Sequence, residues 1–244
     1  YLNAKLILFK KILKKNSSIV VDKNINKFFI LKKIAKAKSF KIHEISNSIK
    51  KIKNIYPDYR SDFKIKNLAM AAVAAKICNL KEKKIFKSLK NIKEVDGRLE
   101  LVRKFQNNIK VFIDYAHTPD ALSKVLQSLR SNYGKNISLV FGCGGDRDKM
   151  KRPLMAKIAN QYSRKIYVTD DNPRNEEPKK IRNVILKKID SIKSFNIGDR
   201  AKAIKKAILN AERNEVILIA GKGHENQQIY KNKLLNISDK QIVK

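Results

Sequence analysis

The sequence predicts an α/β fold in which a mostly parallel, doubly wound sheet fills the second half of the chain. Four short runs of apolar, largely β-branched residues follow one another there, and each is nearly uninterrupted, as in strands buried on both faces. Amphipathic helical segments separate the runs, and this alternation is typical of parallel sheets. An unusual polar segment follows each run directly. The predicted strands are residues 109–113, 137–141, 165–169 and 216–220.

These polar segments carry the functional prediction. In open α/β sheets, ligands bind beyond the carboxyl ends of the strands, at a switch in strand order. All four segments follow the carboxyl end of a predicted strand, so we expect them to converge at one edge of one domain and to form a site. Helices are predicted after these strands, at residues 121–129, 154–162, 179–189 and 201–211.

The chain before about residue 96 has a different pattern, which is rich in helices. Apolar residues at helical spacing predict helices, and one short apolar run predicts a buried strand at residues 18–22. The helices are expected at residues 2–13, 27–38, 67–80 and 82–92. The change of pattern near Asp96 and Gly97 predicts two domains, residues 1–96 and residues 97–244.

Composition excludes several protein classes. With 244 residues, 43% of them hydrophobic, the chain can bury a core and is unlike a disordered protein. No apolar run approaches the roughly 20 residues that span a bilayer, and two cysteines cannot form a disulfide framework. We therefore expect a cytoplasmic protein without a membrane span. We also expect a monomer. Because the chain starts with Tyr1 inside a predicted helix, we expect it to be part of a longer polypeptide.

The net charge of +34 leaves two interpretations open. A strongly basic chain can bind nucleic acid, so a basic nucleic-acid-binding module is one alternative. The charge, however, comes mostly from lysines spread evenly along the chain, and aromatic residues make up only 7%, too few for a base-stacking surface. The pattern therefore favours anionic small molecules as ligands and no specific nucleic acid. Several arginines lie in short segments rich in Gly and Asp: Arg98, Arg147, Arg152, Arg174 and Arg200.

The polar segment after the first predicted strand combines the start of a helix with candidate ligand groups. Thr118 is a suitable N-cap, and Pro119 is suited to the first helical position. These preferences leave His117 unexplained. Its position three residues after Asp114 at a strand end makes both residues candidates for a site.

The next polar segment, residues 142–148, is a glycine loop. Its three glycines allow a close approach of the backbone to a ligand, and Arg147 and Arg152 offer planar forks for carboxylate or phosphate. The loop has neither the dinucleotide-binding nor the P-loop pattern. Cys143 lies between glycines, which favours a small buried residue over a nucleophile.

The remaining two segments combine hydrogen-bond donors with acceptors. Residues 170–174 join two carboxylates, an amide and Arg174, while residues 221–225 form a glycine loop with Lys, His and Glu. Such a set suits a zwitterion, for example an amino acid. The spacing matches no zinc site. The residues alone therefore predict an α/β domain that binds an anionic or zwitterionic small molecule, and they leave the reaction open.

Five motifs in this order resemble those of the Mur ligases, from Tyr1 to about residue 239, and in particular the diaminopimelate-adding branch of the family. The motifs are Gly-Arg-Leu-Glu at 97–100, Asp-Tyr-Ala-His-Thr-Pro-Asp at 114–120, Gly-Cys-Gly-Gly-Asp-Arg-Asp at 142–148 with Lys-Arg-Pro at 151–153, Asp-Asn-Pro-Arg at 171–174 and Gly-Lys-Gly-His-Glu at 221–225. The resemblance implies the latter part of a central ATP-binding α/β domain, residues 1–96, and a Rossmann-like C-terminal domain that binds the incoming amino acid. The family's phosphate-binding loop would lie upstream of this chain.

The resemblance implies an ATP-dependent amide ligation in peptidoglycan synthesis. The substrates would be ATP, meso-diaminopimelate and UDP-N-acetylmuramoyl-L-alanyl-D-glutamate, whose D-glutamate carboxylate is activated as an acyl phosphate, with Mg²⁺ as cofactor. Residues at positions of the family's diaminopimelate contacts are Arg147, Asp171, Asn172, Pro173, Arg174, Gly221 and Glu225. Those at positions on the ATP side are Asn67, Arg98, Asp114 and His117. Lys5 matches the lysine that is carbamylated to N6-carboxylysine and binds Mg²⁺.

Within this superfamily, a lysine-adding ligase and a folylpolyglutamate-type ligase are the alternatives. Arg174 argues against both, because it would pair with a distal carboxylate that L-lysine lacks. The chain departs from the family at Lys64, where relatives usually have Asn, although Asn67 is present. Without its upstream part, we expect the chain to be inactive.

Overall fold

The computed structural model describes residues 2–55, 62–93 and 95–244, so Tyr1, with which the predicted first domain begins, lies outside the described residues. The chain divides into two compact units, Tyr1–Lys93 and Glu94–Lys244. Helices of the first unit are α1 Leu2–Ile7, α2 Phe28–Ala37, α3 Ser46–Ile55, α4 Asp62–Ile77 and α5 Glu82–Leu89. Its strands are β1 Ser18–Val21 and β2 Lys41–Glu44.

In the first unit, β1 and β2 form a parallel pair, with Ser18 opposite Lys41 and Val21 opposite Glu44. One apolar cluster packs α3 and α4 together around Ile52 and Ala69, both fully buried. The segment predicted as one helix over residues 2–13 is instead α1 followed by a π-helical turn over residues 8–12.

Two elements of the first unit, β2 and α3, are absent from the sequence prediction. Strand β2 has only four residues, none of them buried, so it carries little apolar alternation. Helix α3 has isoleucines at positions 49, 52 and 55, a helical spacing that the sequence prediction missed. Burial of Ile52 in the apolar cluster stabilises α3 by packing. The helix predicted at residues 67–80 begins earlier, at Asp62, whose carboxylate favours the amino end of a helix.

The second unit contains the predicted doubly wound sheet. Its strands are β3 Glu100–Lys104, β4 Lys110–Asp114, β5 Ile137–Phe141, β6 Lys165–Val168, β7 Ser194–Asn196, β8 Val216–Ala220, β9 Gln227–Tyr230 and β10 Lys233–Asn236. Its helices are α6 Pro119–Tyr133, α7 Lys151–Tyr162, α8 Pro178–Leu186, α9 Arg200–Leu209 and α10 Asp239–Val243.

Within residues 95–244, six strands form one sheet in the order β3-β4-β8-β5-β6-β7. Every pair in it is parallel except β3 with β4. All residues of β5 and β8 are buried, as their mostly apolar sequences predict for central strands covered on both faces. The one polar residue among them, Ser138, donates a hydrogen bond to Glu215. The sequence prediction of a mostly parallel α/β sheet is therefore confirmed.

Helix α6 begins as the sequence predicts. The side chain of Thr118 accepts a hydrogen bond from the backbone N–H of Ala121 at 3.3 Å, and Pro119 opens the helix. Asp120 lies in the first turn and pairs with Lys124 one turn later at 2.7 Å. The start of α6 is therefore fixed by local sequence, directly beyond the carboxyl end of β4.

The sequence prediction lacks β3, β7, the antiparallel hairpin of β9 and β10, and α10. Strands β3, β7 and β10 contain no buried residue, so neither of their faces produces the apolar alternation that marks a half-buried strand. In β9, only Gln228 is buried, and the turn to β10 has no Gly to mark it. These elements form because distant parts of the chain pack beside them.

Arg200 and Asp239 form an ion pair that is fully buried between α9 and α10. Nε of Arg200 donates to Oδ1 of Asp239, and Nη2 donates to Oδ2, both at 2.7 Å. Nη2 also donates to the carbonyl of Ala220, the last residue of β8, at 3.2 Å. The sequence motifs assign Arg200 no role, whereas the structure makes it the link between both helices and the end of the central strand.

None of the helices in the described ranges is both long enough and apolar enough to pass through a lipid bilayer.

We expect Asp239→Asn to lower the free energy of unfolding by about 3–5 kcal/mol, because it leaves the buried Arg200 charge unpaired. Urea unfolding followed by far-UV circular dichroism measures this loss. The control is Asp120→Asn, which breaks an exposed pair on α6 and should cost less than about 1 kcal/mol. Equal effects of the two substitutions would contradict the role given to the buried pair.

Candidate functional site

The four polar segments meet at one edge of the second unit, which we call the carboxyl edge. It is formed by the ends of β4, β8, β5 and β6, which lie side by side in that order and run in the same direction. Asp114 and Ala220 are paired at the ends of β4 and β8, and Phe141 and Val168 at the ends of β5 and β6. The predicted convergence is therefore confirmed.

The glycine loop, residues 142–148, packs backbone against backbone on the loop that follows β6. A Cβ atom on Gly142 would collide with the carbonyl of Thr169, and one on Gly145 with the carbonyl of Pro173. The N–H of Gly145 also donates to the carbonyl of Asn172 at 2.9 Å. The glycines therefore bring the two loops into direct contact, and Pro173 is buried at that contact.

Arg174 has a left-handed backbone, with φ at +52°, which is uncommon for a residue with a side chain. Its Nη1 donates to the carbonyls of Gly145 at 2.9 Å and Asn172 at 3.3 Å. Its backbone N–H donates to the carbonyl of Ile229 in β9 at 2.9 Å. The half-buried guanidinium is thus held by one terminal nitrogen at the carboxyl edge.

Asn172 connects Arg174 to the loop that follows β8. Its Oδ1 accepts from the N–H of Ile229 at 3.0 Å, and its Nδ2 donates to Oε2 of Glu225 at 3.3 Å. Glu225 also accepts a hydrogen bond from the hydroxyl of Tyr115 at 3.1 Å. Asn172 therefore contacts the Arg174 guanidinium through its backbone carbonyl and the Glu225 carboxylate through its side-chain amide.

Asp171 and Gly221 are in close contact beneath these groups. Oδ1 of Asp171 accepts from the N–H of Asn172 at 2.6 Å, while Oδ2 would lie 2.7 Å from a Cβ on Gly221. Gly221 has φ at +116°, a conformation that side chains rarely adopt. The ammonium of Lys222 is fully buried and donates to the carbonyl of Gln227, and burial lowers its pKa.

A second group of residues surrounds Tyr115, at the end of β4. The Arg98 guanidinium lies over the Tyr115 ring, 4.5 Å from its centroid, and the His224 ring stacks beside it at 5.8 Å. Nδ1 of His117 lies 2.8 Å from the Tyr115 carbonyl. Burial, with a smaller contribution from Glu225, raises the pKa of Tyr115. Tyr115 thus contacts Arg98, a predicted residue of the ATP side, and Glu225, a predicted residue of the amino-acid side.

Asp114 has a structural task at this edge. Its carboxylate accepts hydrogen bonds from the backbone N–H groups of Leu99 at 2.6 Å and Ala116 at 2.7 Å, and the side chain is buried. It therefore fixes the segment that carries Arg98 against the end of β4. Sequence reasoning missed Tyr115, although an aromatic residue between Asp114 and His117 at a strand end was a usable signal.

The two arginines of the glycine loop region have different environments. Arg147 is exposed and donates to the carbonyl of its neighbour Asp146 at 3.1 Å. Arg152 is buried and makes two bonds to the carboxylate of Glu176, at 2.9 Å and 2.8 Å. The expectation that the Arg152 guanidinium binds a ligand is therefore wrong, because both of its terminal nitrogens bond to Glu176. Arg152 also donates to the carbonyl of Gly144 at 3.1 Å and so stabilises the glycine loop.

Cys143 is buried, and burial raises the pKa of its thiol to about 12. A buried thiol with a raised pKa is the opposite of the exposed, acidic thiol of a nucleophilic cysteine, which supports the expectation of a small core residue.

The predicted residues of the first unit lie on its helices. Lys5 is exposed on α1, and Asn67 is exposed on α4, one turn after Lys64. Across the described ranges, no group of three or more His, Cys, Asp or Glu residues could hold a metal ion. Lys5 alone cannot form a Mg²⁺ site, so the described residues do not fit a complete one.

The comparisons with known proteins agree on one family. Residues 97–223 match the family described as "Mur ligase, glutamate ligase domain". Among curated proteins, the UDP-N-acetylmuramoyl-L-alanyl-D-glutamate–2,6-diaminopimelate ligase of Rickettsia typhi is 41% identical over 195 residues, which cover 79% of this chain and 39% of that protein. The ligase of the same name from Rickettsia bellii is 37% identical over 265 residues, covering 99% of this chain and 55% of that protein.

Solved structures give the same fold. A structure of a UDP-N-acetylmuramoyl-L-alanyl-D-glutamate–2,6-diaminopimelate ligase matches with a TM-score of 0.58 and 26% identity, covering 100% of this chain and 55% of that one. A folylpolyglutamate synthase of Mycobacterium tuberculosis matches with a TM-score of 0.64 at 15% identity, covering 84% of this chain and 52% of that one. This chain spans about half the length, or less, of the proteins that it matches.

The ion pair of Arg152 with Glu176 predicts a pH-dependent stability. The guanidinium lowers the pKa of Glu176 from 4.5 to about 2. Because the folded pKa is the lower one, the pair adds stability that is fully present above pH 4.5 and is lost as the pH falls towards 2. We expect Glu176→Gln to cost about 2 kcal/mol or more at neutral pH.

Urea unfolding of wild type and variant across this pH range measures the difference in free energy, which should shrink below pH 4.5. Glu177→Gln is the matched control, because Glu177 is the exposed neighbour and pairs with an exposed lysine, Lys180, at 3.3 Å. Its effect should be near zero throughout. A cost of Glu176→Gln that does not change with pH would contradict the assignment.

Proposed function

The chain belongs to the Mur ligase family, and on that premise we propose that it is part of a ligase that adds meso-diaminopimelate to UDP-N-acetylmuramoyl-L-alanyl-D-glutamate in peptidoglycan synthesis. In this proposal, residues 97–244 form the domain that binds the incoming amino acid. Residues 1–96 form the latter part of an ATP-binding domain. The names of the curated relatives support the substrate, since they are diaminopimelate ligases at about 40% identity.

The observation that carries the proposal is the placement of opposite charges around Asn172. Arg174 contributes a guanidinium held by Nη1 alone, and Glu225 contributes a carboxylate bonded to Nδ2 of Asn172. The second stereocentre of meso-diaminopimelate has a carboxylate and an ammonium. Arg174 would bind that carboxylate through its remaining N–H donors, and Glu225 would bind the ammonium.

This arrangement gives a physical reason for selecting diaminopimelate over L-lysine. L-Lysine has the distal ammonium but no distal carboxylate, so it would leave the half-buried Arg174 without its ionic partner. A charged hydrogen-bonding group that loses its partner costs about 1.5–3 kcal/mol. Asp171, Pro173 and Gly221 would hold the backbone of this site, and Arg147, exposed at its rim, would attract the anionic substrate.

The residues around Tyr115 form the proposed ATP side of the second unit. ATP supplies the phosphoryl group that activates the D-glutamate carboxylate as an acyl phosphate. Arg98, held over the Tyr115 ring, would neutralise phosphate charge. Asp114 would fix the segment that carries Arg98. His117 is exposed and lies next to the Tyr115 carbonyl. Asn67 is the corresponding proposal in the first unit. The role of Lys5 in Mg²⁺ binding stays a prediction from the resemblance.

The proposal is tested with the full-length protein that contains these residues, supplied with ATP, Mg²⁺ and the UDP-muramoyl dipeptide. Meso-diaminopimelate and L-lysine are added separately, and the products are identified by mass. We expect a tripeptide product with diaminopimelate alone. A product with L-lysine would favour the lysine-adding alternative, and no product with either, together with salt-dependent DNA binding, would favour the nucleic-acid-binding module.

Arg174→Ala should reduce kcat/KM for diaminopimelate by roughly thirtyfold, which corresponds to about 2 kcal/mol, with little change for L-lysine. The matched control is Arg213→Ala, since Arg213 is an exposed arginine that precedes the amino end of β8, at the opposite edge of the sheet. The control should behave as wild type. Unchanged diaminopimelate preference in Arg174→Ala would overturn the proposed role of this residue.

A further inference from the structure

Strand β9 determines where the proposed amino-acid ligands lie. The backbone of Arg174 pairs with Tyr230 of β9 through the two neighbours of Tyr230. Its N–H donates to the Ile229 carbonyl at 2.9 Å, and its carbonyl accepts from the N–H of Lys231, the residue directly after β9, at 2.6 Å. The N–H of Ile229 also donates to Oδ1 of Asn172 at 3.0 Å. Backbone groups make all of these contacts on the β9 side, so a shift of the strand would move Asn172 and Arg174 together.

Gln228 fixes this strand against the loop that follows β6, residues 169–174. It is the buried residue of β9, with 1% of its surface exposed. Its Nε2 donates to the carbonyls of Asp170 at 3.1 Å and Asp171 at 2.7 Å, the two residues directly before Asn172. A primary amide has two N–H donors, and here both lie against consecutive carbonyls of the loop.

Tyr230 provides a second attachment on the same face of β9. Alternate residues of a strand point to the same side, so Gln228 and Tyr230 both face the loop. The Tyr230 hydroxyl donates to Oδ2 of Asp170 at 2.9 Å, and Oδ1 of Asp170 is paired with Arg182. The strand is therefore attached to the loop at two successive inward positions.

We propose that Gln228 is a positioning residue for acceptor selection: it sets the spacing between the Arg174 guanidinium and the Glu225 carboxylate. The inference rests on the proposed function, in which these two groups bind the same distal stereocentre. The spacing follows from β9, because β9 holds Arg174 directly and holds Asn172, whose Nδ2 contacts Glu225 at 3.3 Å. Gln228 itself does not touch the amino acid.

The test is Gln228→Met in the full-length protein, since Met has a similar volume but no N–H to donate. Loss of two hydrogen bonds should misplace Arg174 and raise KM for meso-diaminopimelate about tenfold, with kcat within about threefold of wild type. The preference for diaminopimelate over L-lysine should fall about as much, because L-lysine does not use Arg174. Gln227→Met is the matched control, as its side chain is exposed on the other face of β9, and it should match wild type.

A purely structural role of Gln228 gives a different result. In that case, Gln228→Met lowers the melting temperature while the ratio of kcat/KM for the two amino acids stays at the wild-type value, and the inference is overturned. If Gln228→Met does not fold, Tyr230→Phe removes the second attachment alone and should narrow the same ratio about threefold. A wild-type protein that does not ligate diaminopimelate would contradict the proposed function, whereas a wild-type ratio in both variants contradicts only this inference.

Discussion

The site depends on the close approach of two backbones at the carboxyl edge. Only residues without a Cβ can occupy Gly142 and Gly145, because the carbonyls of Thr169 and Pro173 lie where that atom would be. This contact brings the Gly145 carbonyl within 2.9 Å of Nη1 of Arg174. A side chain at either glycine would separate the loops and remove the anchor of the guanidinium. The position of Arg174, and with it the proposed selection of the amino acid, follows from this packing.

Two buried arginines stabilise the elements around this contact, and each is paired with a carboxylate. Arg152 pairs with Glu176 and donates to the Gly144 carbonyl, while Arg200 pairs with Asp239 and donates to the end of β8. Such pairs are expensive to break, since the remaining charge stays buried. The large positive charge of the chain, by contrast, comes mostly from lysines spread along the sequence. The few buried charges at the carboxyl edge therefore explain more of the site than the net charge does.

The sequence predicted those features that local patterns determine. The buried strands β4, β5, β6 and β8 are mostly apolar, with few polar residues. The start of α6 follows from Thr118 and Pro119. The convergence of the polar segments then follows from parallel topology. Two features of the site have no sequence signature because they join distant residues. Arg152 pairs with Glu176, 24 positions away, and Gln228 bonds to Asp171, 57 positions away. The candidate ligand residues were identified through a family resemblance, whereas Tyr115 and Gln228 required the structure.

The measurement that tests the account most directly is a crystal structure of the full-length protein with meso-diaminopimelate bound. The account predicts the distal carboxylate within about 3 Å of the Arg174 guanidinium and the distal ammonium beside Glu225. Density for the amino acid away from the carboxyl edge would contradict it. So would a distal carboxylate bound by Arg147 while Arg174 keeps only its bonds to Gly145 and Asn172.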